Sequence, residues 1–459
     1  MRAPRIVGRV TEATTVIHSA RLVSGADTVS DAWVRFEGDR IAARGLGESW
    51  RETPGLERGD DVEVTDAAGR WLAPGFIDIH CHGAGGGAFD AGDDAIARGL
   101  AVHRAHGTTR TVLSLVTAPV DALAERVATI ARIASADPLV LGAHLEGPFL
   151  DHEFRGAHDP GLLRQADRAA VDRLLDAADG TLRQITIAPE HDGAADAIAR
   201  FIDAGVAVAV GHTGADYETA LRAFDAGASI LTHAFNGMRG IHHRAPGPVV
   251  AAMHADHVTL EIVNDGVHVH PDVVRLAFSG APGRVALVTD AMAAAGASDG
   301  DYILGALTVH VRDGVARLAD TGSIAGSTLT QDRALRRAVL DSGIPLHAAI
   351  EALTVTPAAA IGRASDLGRL EPGYAADAVL LDDDLAVTAV WGRAPASHDP
   401  HGRAGDLFPF VCPPCPFHRS ATTPARTGSA ARDPGRRGAH STPSSITVAH
   451  LRDADPGGS

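Results

Sequence analysis

Ligand-type side chains standing where short apolar runs stop constrain this chain more than any other feature. His80 and His82 close the run that begins at Phe76, and Glu146 follows Leu139–Ala143. His212 follows Val206–Val210, His233 follows Ser229–Thr232, and Asp290 follows Val285–Thr289. In a strand, alternate residues point the same way, so His80 and His82 share a face and Cys81 takes the other as packing. Histidines scattered by chance over a surface would not fall at such ends. A parallel α/β barrel gathers its strand C-termini on one face, where residues far apart in sequence meet around one metal centre.

Eight such runs are present, at 75–80, 109–115, 139–144, 184–188, 205–211, 228–233, 257–263 and 284–289. Helical spacing of apolar residues between them, as at 122–133 and 160–178, predicts a (β/α)8 barrel of the TIM type. Before it, residues 15–64 alternate in short stretches with Gly and Asp at turns, which predicts a small antiparallel sheet. After it, 376–382 reads as a strand returning to that sheet, so the small β-sandwich domain is discontinuous. The expected organisation is 1–70 and 363–393 for the small domain, 71–362 for the barrel, and 394–459, rich in Pro, Gly, Ser and Arg, as a disordered tail. Past Trp391 the chain turns to Gly392-Arg393-Ala394-Pro395, which leaves one edge of the small sheet without a closing strand.

A net charge of −16 with no compensating basic stripe in the first 390 residues speaks against nucleic acid or an anionic membrane as partner. All 41 basic residues are Arg, so neither a Lys base nor a carboxylated Lys bridge is available. Three Cys, at 81, 412 and 415, give no disulfide framework, and no signal-peptide or membrane-spanning run occurs, so a cytoplasmic protein is expected. Two Cys and His418 do not complete a zinc site in the tail.

Imidazole and carboxylate ligands suit Zn²⁺, Fe²⁺, Co²⁺ or Mn²⁺ alike. A bound divalent metal makes water acidic near pH 7, and a carboxylate beside it must take the proton. Asp290 fits that role; its other reading is an N-cap for a helix starting at Ala291. The remaining His, such as His103, His106 and His191, are expected at the surface.

The stretches Gly75–Gly83, His144-Leu145-Glu146-Gly147-Pro148, Gly211-His212-Thr213, His233-Ala234-Phe235-Asn236-Gly237-Met238, Asp265–His268, Thr289-Asp290 and Ala325-Gly326-Ser327 resemble the amidohydrolase superfamily, and within it the N-acetylglucosamine-6-phosphate deacetylase group. The resemblance spans roughly residues 12–393. It implies a metal-dependent hydrolase that removes the acetyl group of N-acetyl-D-glucosamine 6-phosphate. It also implies one or two metal ions, zinc first, with Glu146, His212 and His233 at one site. His80, His82, Glu146 and Asp290 would frame a second. Asp290 would be the acid/base, with His158 stabilising the oxyanion. Ala157, His158, Asn236, Gly237, Arg244 and His268 would bind substrate, with Arg244 on the 6-phosphate, reaching into a neighbouring subunit of a homodimer. After Asp290 the chain lacks the proline that the group often carries, which touches substrate preference.

Overall fold

The computed structural model describes residues 5–6, 14–24, 27–52 and 62–392. The expected tail and its Cys412 and Cys415 lie outside the described residues. The small sheet begins with β1 (Arg5–Ile6), β2 (Thr14–Ser24), β3 (Asp27–Glu37), β4 (Arg40–Leu46), β5 (Val62–Asp66) and β6 (Trp71–Pro74). It is mixed, not purely antiparallel: β2 pairs antiparallel with β3 but parallel with both β5 and β6. One long strand serves three partners because Ser19, at φ 55°, turns β2 midway.

The barrel strands follow: β7 (Phe76–Cys81), β8 (Thr108–Val116), β9 (Val140–Glu146), β10 (Leu182–Ile187), β11 (Ala207–Val210), β12 (Ile230–Leu231), β13 (Thr259–Val263) and β14 (Val285–Val288). They pair parallel in that order. Each expected run overlaps its strand; β7 to β10 extend one or two residues past their runs, and β12 keeps only two ladder residues of its run. Between β14 and β7 no ladder forms; the carbonyls of Ala352 and Leu353 accept from Leu287 and Ile77 low in the gap, and Asp290 N–H donates to His80 O at 2.8 Å at the top. The seam therefore holds two ligand-type residues side by side.

Helices wrap the barrel because each shows it an apolar stripe. In α2 (Val120–Ala136) the stripe is Leu123, Ala124, Val127 and Ile130, and Pro138 bars continuation. The helix expected at 160–178 is shorter. Asp159 and Pro160 start only a single 3₁₀ turn, and α3 (Arg168–Ala178) begins where Asp167 caps it, its side chain accepting from Ala170 N–H at 2.9 Å.

Between β14 and the last helices lies an antiparallel meander that the sequence reading did not separate: β15 (Gly300–Leu304), β16 (Leu307–Arg312) and β17 (Val315–Leu318). Its alternation is plain in β16, where Val309 and Val311 are buried and Thr308, His310 and Arg312 exposed. The buried side packs on Val116, Met292 and Ala294 beside the strand ends. The chain then returns to the small sheet through β18 (Ala378–Leu381), paired with β6, and β19 (Val387–Trp391). The expected open edge is occupied: β1 pairs parallel with β19, Arg5 opposite Ala389 and Ile6 opposite Val390. Ile17, Val34, Phe36, Leu72, Leu380 and Trp391 form that domain's core.

Candidate metal centre and substrate pocket

The six ligand-type residues of the sequence meet at the barrel's C-terminal face. His80 lies on β7 and His82 just past it, Glu146 ends β9, and His212, His233 and Asp290 each stand two residues beyond their strands. All six are at least nine-tenths buried. His212, His233 and Asp290 have φ values of 47°, 26° and 46°, which L side chains rarely adopt. Such conformations cost on the order of 1–3 kcal/mol each and persist where surrounding contacts over-determine them. Around Asp290 those contacts are its N–H to His80 O and its own carbonyl accepting from Ser327 N–H at 2.7 Å. No helix follows Asp290, so the N-cap reading fails; residues 291–297 form a bridge and turns.

Three imidazoles are oriented by acceptors behind them. His80 Nδ1 donates to Glu261 Oε2 at 3.0 Å, His212 Nδ1 to Phe154 O at 2.9 Å, and His233 Nδ1 to Asn236 O at 3.1 Å. Their Nε2 lone pairs consequently face inward. His212 and His233 Nε2 stand 3.0 Å apart, and each is 3.1 Å from Glu146 Oε1. Two lone pairs and a carboxylate oxygen at such distances repel unless a cation lies among them. His82 Nε2 lies 3.0 Å from Glu146 Oε2, and His80 and His82 Nε2 are 3.5 and 3.4 Å from Asp290 Oδ1. Glu146 thus belongs to two ligand groups at once, and the donor set fits one or two divalent cations.

The electrostatics agree. Burial opposes protonation of His80, yet Glu146, Glu261 and Asp290 raise its pKa well above the ordinary value. Burial likewise opposes a charge on His82, but Asp290 and Glu146 lift it to about 9. Without a metal these carboxylates draw protons onto the imidazoles; a cation would displace them. Burial raises the Asp290 carboxyl, but the fields of His80 and His82 win and hold it at about 2.

The adjoining cavity, of about 160 Å³, is lined by His158, His268, Asn236, Gly237 and Ala157 as expected, with Val116, Leu304, Ile324 and Gly326 opposite. His158 Nδ1 accepts from Thr117 N–H at 3.3 Å, which puts its proton on Nε2, toward Glu146 Oε2 at 3.6 Å. Burial lowers its pKa to about 4, so it is a neutral donor. His268 Nδ1 pairs with Asp265 at 2.7 Å, and that partner outweighs burial to raise its pKa. Gly237 has φ 60°, and a Cβ there would lie 3.0 Å from His212 Nδ1. Arg244 does not line the cavity. It sits on the exposed 239–245 loop beside His243.

Sequence reading missed the layer beneath. Gln184 Nε2 donates to Glu261 Oε1 at 2.8 Å, and His144, fully buried, contacts Ser114 and Thr186 at 2.9 Å. Glu261 was detectable as a lone charge inside Thr259–Val263, a run otherwise able to be a buried strand. His103 is not at the surface: it is fully buried, Nε2 3.1 Å from both Cys81 Sγ and Gly83 O.

Residues 71–403 match the Amidohydrolase family. This chain belongs to that family. It is 40% identical over 336 residues to an N-acetylgalactosamine-6-phosphate deacetylase of Escherichia coli O157:H7, covering 72% of this chain and 88% of that one. It is 37% identical over 327 residues to an N-acetylglucosamine-6-phosphate deacetylase of Vibrio furnissii, covering 70% and 81%. Among solved structures, a variant of the N-acetyl-D-glucosamine-6-phosphate deacetylase of Mycobacterium smegmatis, in complex with N-acetyl-D-glucosamine 6-phosphate, is 44% identical with a TM-score of 0.77, over 83% of this chain and 99% of the other. This amidohydrolase belongs to a metal-dependent family, and its His80, His82, Glu146 and Asp290 cluster could hold such an ion. None of its described helices is long and apolar enough to cross a membrane.

Proposed function

We propose that this amidohydrolase hydrolyses the acetamide of N-acetyl-D-glucosamine 6-phosphate, giving D-glucosamine 6-phosphate and acetate. The observation that carries this is Asp290, a carboxylate 3.4–3.5 Å from the His82 and His80 Nε2 atoms and open to the cavity, in a chain 44% identical to a deacetylase of that substrate. One or two divalent ions, zinc first and Fe²⁺, Co²⁺ or Mn²⁺ as alternatives, would be held by Glu146, His212 and His233 and by His80, His82, Glu146 and Asp290. When bound, the metal would supply a water of near-neutral pKa and would polarise the acetyl carbonyl.

The chain's own groups do the rest. Asp290, ionised, takes the proton of the attacking water and returns it to the departing amine. His158 donates its Nε2–H to the oxyanion as the carbonyl becomes tetrahedral. His268, Asn236, Gly237 and Ala157 offer donors and backbone to the sugar. None of the residues lining the cavity is Arg, whereas the 6-phosphate calls for a guanidinium. The exposed Arg244 loop supports a homodimer in which Arg244 enters the neighbouring subunit's cavity.

The galactosamine epimer is the second reading, because the 40% relative carries that name. The kcat/KM values on the two N-acetylhexosamine 6-phosphates and on unphosphorylated N-acetylglucosamine discriminate. Preference for the glucosamine substrate and poor use of the unphosphorylated sugar are expected. Faster turnover of the galactosamine epimer would reverse the assignment, and equal use of the unphosphorylated sugar would remove the phosphate site.

A further inference from the structure

A cavity larger than the catalytic one, about 720 Å³, opens at the other end of the barrel, where β8, β9 and β10 begin under the β3–β4 turn of the small sheet. Its volume lies within the roughly 300–1,000 Å³ typical of small-molecule sites. Arg40, Arg110, Arg183 and Arg363 line it.

Their charges are unequally met. Arg110 is bound to Asp377, and Arg363 forms a two-point pair with Asp366 at 3.0 and 2.6 Å. Asp366 also lies in the fields of Arg40 and Arg110, Arg40 has Asp39 at 3.9 Å, and Arg132, also on the lining, pairs with Asp93 at 2.7 Å. Arg183 is different. Its Nε donates to Leu141 O at 2.7 Å, and among the described residues no carboxylate lies within ion-pair distance of it. Burial and the neighbouring Arg363 both make its positive charge costly. A half-buried guanidinium beside a second one, with a ligand-sized space in front, lacks only an anion. Arg183 Nη1 and Nη2, which have no partner among the described residues, and Arg363 Nη1, outside its pair with Asp366, suit the oxygens of a phosphate. Asp39 and Asp179, also on the lining, suit hydroxyl donors.

We propose that this cleft is a second ligand site, distinct from the catalytic pocket, that takes a small sugar phosphate with its phosphate on Arg183 and Arg363. The test uses metal-loaded enzyme carrying Arg244→Gln, to weaken phosphate binding at the catalytic pocket, titrated calorimetrically with glucose 6-phosphate and with glucose. Saturable binding of glucose 6-phosphate, one per chain, is expected, and none of glucose. Adding Arg183→Gln should weaken it at least tenfold. Ala128→Asp, which sets a negative charge on an exposed lining position of α2 without replacing any Arg, should do the same. A tenfold loss in either variant, with native circular dichroism, supports the site. No binding to the Arg244→Gln enzyme, or full affinity in both added variants, overturns it.

Discussion

At the residue scale, two carboxylates face opposite nitrogens of His80, Glu261 at Nδ1 and Asp290 at Nε2. With Asp290 as the proposed proton carrier, Asp290→Asn should lower kcat by about 10²–10⁴ with most of the bound metal retained, as elemental analysis beside acetate release would check. Unchanged turnover would contradict the role. Glu261 instead holds a ligand in place. It accepts from both Gln184 Nε2 and His80 Nδ1, and a Gln in its place can accept on only one oxygen. Glu261→Gln should therefore weaken metal binding about 10–100-fold in a chelator competition, with kcat near normal once metal is saturating. His103 carries a pH signature of its own. Burial lowers its pKa from 6.5 to about 4, so the folded state keeps it neutral while the unfolded chain protonates below 6.5. Its share of stability is whole above pH 6.5 and is lost as pH falls toward 4, by about 3 kcal/mol at most. Urea unfolding of the parent and His103→Leu at pH 7.5 and 4.5 should show the variant losing less. The ligand-type residues stood out because chemistry and strand ends coincided in the sequence. His103 was misplaced although helical spacing marks it, seven residues after Ile96 and three after Leu100 on the buried face of Asp93–Ala105, because a polar residue on such a face reads as the stripe's edge.

At the element scale, periodicity located all eight barrel strands, since buried parallel strands are short apolar runs bounded by turns. What it could not show is how the chain leaves them. The left-handed turns at His212, His233 and Asp290 are set by hydrogen bonds from distant segments such as Ser327, which no local window contains. The β15–β17 meander was hidden for a different reason: its short alternating strands pair only with one another and pack on Val116 and Met292, outside the barrel's repeat of apolar runs and helices. Gly237 tests the left-handed geometry directly. An added Cβ at φ 60° would meet His212 Nδ1 at 3.0 Å and Phe154 O at 3.3 Å, the pair that orients this ligand. Gly237→Ala should cost on the order of 1 kcal/mol in backbone strain and weaken metal retention on dialysis, more than the same change at Gly240, whose Cβ would meet nothing.

At the scale of the whole molecule, the barrel and the small sheet are joined by a buried pair, Arg110 on β8 with Asp377 just before β18. Removing one partner leaves a buried charge alone, so Asp377→Ala should cost roughly 3–5 kcal/mol in urea unfolding. Sequence gave no hint of this pair, because its members are 267 positions apart. Arg244, expected on the 6-phosphate, stands on the exposed 239–245 loop and does not line the cavity of its own chain. If it serves a second copy, mixing Asp290→Asn and Arg244→Gln subunits at equal amounts should restore about a quarter of parental activity, since half the dimers would hold one intact site. No recovery on mixing would place the phosphate elsewhere. Metal-dependent deacetylation of an amino-sugar phosphate is read out in one assay. Acetate release from N-acetylglucosamine 6-phosphate should stop on chelation and return with Zn²⁺, with the unphosphorylated sugar a poor substrate throughout. No acetate from the metal-loaded enzyme, or release indifferent to chelation, would contradict it.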